Sequence, residues 1–250
     1  MMLLSRWRSL LLLSLVLALT FVFHADATSH DWEEINSREG IRILSRRVEG
    51  SPILAFKGIA EMEIPIGTLI SVINDKARHH EWVPRLMESK TIELLSPLES
   101  IEYTRVSGVW PIADRDVVFR SVAVIDEGRR QVIMRMTSVE HRSMPPREGT
   151  VRAELTESTY ILTALSQDKT LVESEFHGDP RGWVPTWIAN IFQKSWPMTT
   201  LESLRAQALR AEGGKYYPHY GSLAGYYASP STKEGDKGGG IGTGQPRLED

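Results

Sequence analysis

"DPRGWVPTWIAN", residues 179–190, sets two tryptophans, two prolines and a glycine immediately before an apolar helical stripe. Pro185 suits the first turn of a helix, because the N–H that it lacks has no partner inside the helix there. The stripe downstream, Trp187, Ile188, Ile191, Phe192, Met198, Leu201, Leu204, Ala208 and Leu209, repeats at three to four residues. It predicts one long amphipathic helix from Pro185 to Ala211. Pro197 interrupts the hydrogen-bond ladder, so a kink or hinge is expected there. Leucines would suffice to close a filled core. Large rigid aromatics at the doorway point to a helix that closes something else.

Working outward, the order of elements gives the class. "DWEEINSREG" (residues 31–40) reads as a short helix stopped at Gly40. "IRILSRRVEGSPILAFKGIAEMEI" alternates apolar and polar residues around the turn signal "EGSP" and predicts a hairpin. Pro65 opens a helical stretch with Ile66, Leu69, Ile70 and Ile73 in phase. "DKARHHEWVP" continues it as far as Pro84. Period-two patterns fill residues 86–177: "DRDVVFRSVAVID", "RQVIMRMTSVE", "TVRAELTESTYILTAL" and "TLVESEFHG", with short links that favour antiparallel neighbours. Helices segregated against an antiparallel sheet define the α+β class. One long helix laid on a curved sheet leaves room for a hollow.

The two ends of the chain are of a different kind. "MMLLSRWRS", with Arg6 and Arg8, leads into 14 largely apolar residues from Leu10 to Phe23, then Ala25 and Ala27. That order reads as a secretory signal peptide, residues 1–27, and predicts an exported, periplasmic or secreted protein. An uncleaved N-terminal membrane anchor is the alternative. Residues 213–250 hold ten glycines and five tyrosines and read as a disordered tail, since so few branched aliphatics cannot offset chain entropy. Between them, residues 28–212 form the expected domain.

Among 250 residues the net charge is -3 and there is no cysteine. The balance gives no reason to expect nucleic acid. Disulfides, thiolate metal sites and cysteine nucleophiles are excluded. No nucleophile elbow, zinc-protease or phosphate-loop motif occurs. His79 and His80 are adjacent, so on a helix they point about 100° apart and cannot share a metal. They read as a solvated face. Asp114, Arg115 and Asp116 read as structural ion pairs at the start of a strand. No cofactor or metal is expected.

Five segments resemble, in order, the START lipid-transfer family. They are "SRRVEGSPILAFKG" (Ser45–Gly58), "NDKARHHEW" with Asp75, Arg78 and Trp82, "PIADRDVVFR" (Pro111–Arg120), "MPPREGTVRAE" (Met144–Glu154) and "DPRGWVPTWIAN". Valine stands at 117 where the family usually has phenylalanine. The resemblance implies a helix-grip fold, a curved antiparallel sheet wrapped around a long C-terminal helix with an internal hydrophobic cavity. It also implies non-catalytic binding and transport of a lipid or sterol-like apolar molecule.

Strand alternation puts Val117, Phe119, Ser121 and Ala123 on one face. Ala153, Leu155, Thr159 and Ile161 share another, interrupted by Glu157. The ligand-binding residues expected are Phe119, Ser121, Leu155, Thr159, Trp187, Ile191, Phe192 and Met198. Glu157 should sit at a tunnel end or meet a partner. Trp110 and Pro111, at the apolar tip of "SGVWPIAD", and Trp183 are expected to form a gate that touches membrane transiently. A monomer is expected. Two other readings stay open: a helix-grip enzyme (cyclase- or hydrolase-like) using Ser121, Thr159 and Glu157, and an interaction module with a filled core.

Overall fold

A computed structural model describes residues 32–211, apart from the side chain of Phe192. The expected signal peptide, the expected disordered tail and the Phe192 side chain therefore lie outside the described residues. Strands β1 (Glu33–Arg38), β2 (Ile41–Val48) and β3 (Ser51–Met62) come first, then helix α1 (Ile66–Asn74) and a 3₁₀ turn (Lys76–Glu81). Strands β4 (Leu86–Ser96), β5 (Glu99–Val106), β6 (Asp114–Asp126), β7 (Gln131–Ser138), β8 (Thr150–Arg152), β9 (Glu154–Ala164) and β10 (Thr170–Asp179) follow. Helix α2 (Thr186–Ala211) ends the fold. The ten strands make one sheet in the order β1-β2-β3-β10-β9-β7-β6-β5-β4. Every pairing along that path is antiparallel, while β8 pairs β6 in parallel. The α+β, helix-grip expectation holds.

Two expectations for the elements change. Residues 33–38 are a strand and not a helix. They carry no apolar stripe at helical spacing, and Arg42 reaches across the hairpin to Glu34 at 2.7 Å. Glu39 (φ 50°) and Gly40 (φ 74°) both adopt positive φ between paired Arg38 and Ile41, as a tight hairpin turn requires. The long strand expected from residue 150 is also broken, at Ala153. The Ala153 N–H donates to the Asp116 carbonyl at 2.8 Å, and the chain changes partners there.

The concave face carries the core. Ile41, Ile43, Ala60, Met62, Val132, Met134, Leu162 and Val172 pack with α1 and with Met198, Leu201, Leu204, Ala208 and Ala211 of α2. Gly58 lets the helix lie close. A Cβ on it would stand 2.6 Å from Leu201 Cδ1 and 3.2 Å from Pro197 Cβ. The convex face is charged along β3 and β10, where Lys57 sits 2.5 Å from Glu175 and Arg46 and Lys57 both lie over the Trp32 ring. It also carries a second apolar cluster, of Ile101, Tyr103 and Val118 on β5 and β6.

Candidate functional site

Pro197 divides α2 into two functional halves. From Met198 onward the helix is packed into the core. Before it, Ala189, Gln193 and Trp196 look down on a partly open cavity of about 470 Å³, which is bordered by the sheet, the β5–β6 loop and the β10–α2 connection. Thr104, Val106, Val117, Leu155 and Phe176 form the sheet side, and Val109, Ile112 and Val184 form the rim. A volume of this size falls in the range of small-molecule sites. Val117, the position that departs from the family pattern, lines this space directly.

The cavity surface is mostly apolar, and several of its polar side chains are engaged by other protein groups. Gln193 donates through Nε2 to the Gly178 carbonyl at 2.9 Å, and its buried Oε1 has no partner among the described residues. Arg115 donates to the carbonyls of Ala113 (2.6 Å), Pro180 (3.2 Å) and Arg181 (3.1 Å). Burial lowers its pKa. Asp116 is engaged on the other side of β6, where Arg152 donates through Nε (2.8 Å) and Nη2 (3.1 Å) to its two oxygens. Arg105 lies 3.8 Å from Asp114, so the acidic pair at the start of β6 is structural, as expected.

On the concave face, deeper than the cavity, Glu102 is buried. It pairs with Lys76 at 3.0 Å and accepts the Ser100 hydroxyl at 2.9 Å. Sequence reasoning missed this pair. Glu102 sits opposite Phe119 in the ladder, so the alternation in "ESIEYT" could have found it.

The residues expected to bind ligand separate. Leu155 lines the cavity. Phe119 is buried and Ser121 half-buried on the same concave face, farther along β6. Thr159 lies on the opposite face, opposite Glu175 and Arg135 in the ladder. The cause is a bulge at Thr156: Glu157 pairs His177 and Leu155 pairs Gly178, so alternation slips by one residue. Glu157 is therefore exposed, 4.0 Å from Arg46, and needs no tunnel end. Met198 is a core residue. Trp187 (66 % exposed) and Ile191 (59 %) face outward, because two residues from Ala189 is about 200° around the helix. Trp110 and Trp183 are 91 % and 83 % exposed, and Pro111 is exposed too.

His79 is not solvated. Its Nε2 lies 2.8 Å from the Ile73 carbonyl, its Nδ1 3.2 Å from Ser89 Oγ, and its ring meets Trp82 edge-on. Desolvation, with Lys76 nearby, pushes its pKa down to about 3 despite the bond to Ile73. His80 is exposed. The described residues contain no cluster of three or more acidic or histidine groups fit to hold a metal, and no helix long and apolar enough to cross a membrane.

The family model for the START domain matches residues 13–210, and the chain belongs to that family. The match begins inside the stretch that reads as a leader. An uncharacterized protein of Pseudomonas aeruginosa, PA1579, is 23 % identical over 80 % of this chain and 98 % of its own. Human START domain-containing protein 10 is 28 % identical over 64 % of this chain, which spans 55 % of that protein. Among solved structures, human STARD10 superposes with a TM-score of 0.69 at 22 % identity, covering 78 % of this chain and 80 % of that one. A STAR-related lipid transfer protein of Xanthomonas axonopodis gives 0.64 at 27 % identity, covering 71 % and 98 %.

Proposed function

We propose that the chain binds and carries one lipid or other apolar molecule, without catalysis, in the cavity beneath the first half of α2. The observation that carries this reading is the cavity itself, which lies between a curved sheet and a helix and whose exposed surface is mostly apolar, with charged groups among the lining residues. Family membership and the likeness to solved lipid-transfer structures support it. The open acceptor on Gln193 supports it too, since a buried oxygen without a donor costs about 1–3 kcal/mol and a ligand hydroxyl or amine would satisfy it.

Such a container solves a physical problem. Each methylene exposed to water costs about 0.8 kcal/mol, so free long-chain lipids hardly cross an aqueous gap. In this reading Trp110, Trp183, Trp187 and Ile191, all exposed on segments bordering the cavity, rest on a membrane surface during loading. The basic-then-apolar start of the chain supports export, with transfer across a space between membranes. The catalytic alternative needed Ser121, Glu157 and Thr159 on one face, and Glu157 and Thr159 point away from the cavity.

The test is to fill the space. Ala189→Trp places an indole under the helix and should abolish uptake of a fluorescent phospholipid, with the far-UV circular dichroism unchanged. Uptake at the wild-type level would reject this cavity as the container.

A further inference from the structure

The cavity lining contains two arginines and three carboxylates, and they are not paired with one another. Asp116 belongs to Arg152. Glu154 is held by Arg181, which also lies 3.8 Å from Asp179. Among the described residues, Arg85 and Arg115 are left with main-chain carbonyls alone. Arg85 donates to Ser107 (2.8 Å) and Gly108, while Arg115 donates to Ala113, Pro180 and Arg181. Desolvation is the cause of the lowered Arg115 pKa, with no carboxylate opposing it. The guanidinium has lost part of its water and faces no carboxylate among the described residues.

The carbonyls these two arginines hold are also informative. Ser107, Gly108 and Ala113 bound the loop that carries Trp110, and Pro180 and Arg181 belong to the lead-in to α2. Gly182, at φ 68°, turns the lead-in against Arg115: a Cβ there would lie 3.7 Å from Arg115 Nη2. Arg115 thus ties the two rim segments together, and Arg85 ties the start of the loop to the body. Bonds from a guanidinium to a phosphate or carboxylate are roughly twice as strong as neutral ones and often bidentate. An anion reaching the rim would win these donors from the carbonyls.

We propose that Arg85 and Arg115 form the binding site for the anionic headgroup of the carried amphiphile, a phosphate or carboxylate, and that its capture unties the 107–113 loop from the lead-in to α2. This rests on the carrier reading and narrows its cargo to acidic amphiphiles. The site then selects the lipid and releases the gate in one exchange of hydrogen bonds.

The test uses delipidated full-length protein and two probes with identical acyl chains, phosphatidylglycerol and uncharged diacylglycerol. Wild type should bind phosphatidylglycerol more tightly by about tenfold or more. Arg85→Gln with Arg115→Gln should erase that preference, and Arg115→Lys should restore part of it. Hydrogen exchange on wild type gives a reading that needs no variant: amides of residues 107–113 and 180–184 should lose protection with phosphatidylglycerol and not with diacylglycerol. Equal binding of both probes, or loosening by both, overturns the headgroup site while the carrier reading stands. Binding of neither fails the carrier reading and the inference with it. Loosening by inorganic phosphate alone assigns the arginines to a free anion and overturns the lipid assignment.

Discussion

His79 shows how one enclosed side chain links local geometry to solution behaviour. The folded protein holds it neutral, with a pKa of about 3, whereas the unfolded chain protonates it near its ordinary value of 6.5. Between those values the unfolded state binds more protons, so stability falls as pH falls through that window, by up to about 1.4 kcal/mol per pH unit. Urea unfolding at pH 7.5, 5.5 and 4.5 should show that decline. In His79→Gln, which can still donate to the Ile73 carbonyl, the slope should flatten. An unchanged slope would move the acid sensitivity to other groups. In the sequence, His79 and His80 read as a solvated face. The sequence could not show that Ser89 and Ile73 would close around one of the two histidines, because both contacts depend on tertiary packing.

The contact between α2 and β3 decides where the fold is filled and where it is hollow. Gly58 admits Leu201 and Pro197 to the sheet, and the cavity opens on the N-terminal side of that contact. Gly58→Ala would force a methyl against a proline ring carbon that cannot yield. It should destabilise the protein by about 1–3 kcal/mol, visible as a lowered melting temperature. A neutral result would mean that the helix is free to ride higher over the strand.

The helix itself was legible in the sequence, from its proline start to Ala211, because capping and stripe signals are local. Its buried face before Pro197 was not legible. Size and apolarity favoured Trp187 and Ile191, while the face that looks inward carries Ala189, Gln193 and Trp196. The β9 face was misread past Thr156 for a related reason, since one inserted residue reverses alternation and leaves no mark in composition.

At the scale of the whole molecule, the sheet, helix and loop bound a cavity whose bordering segments carry exposed Trp110, Trp183, Trp187 and Ile191. Burying one large exposed side chain is worth about 1.5–3 kcal/mol, and each 1.4 kcal/mol is a factor of ten. Trp110→Ala and Trp183→Ala should therefore each weaken binding to lipid vesicles about tenfold or more in a sedimentation assay, with melting unchanged because both rings are solvent-exposed. Undiminished vesicle binding in the double variant would remove the rim from the membrane contact. The motif order made the α+β helix-grip fold readable from sequence. The polar side of the cavity was not readable, because Arg85, Arg115 and Gln193 come from three separate parts of the chain brought together only by folding.

The measurement that tests the central claim most directly is native mass spectrometry, combined with organic extraction, of the protein purified from its own cells. A stoichiometric adduct that extracts as a lipid is the predicted result. A clean apo mass, with no uptake from a mixed panel of acidic and neutral lipids, would contradict the account.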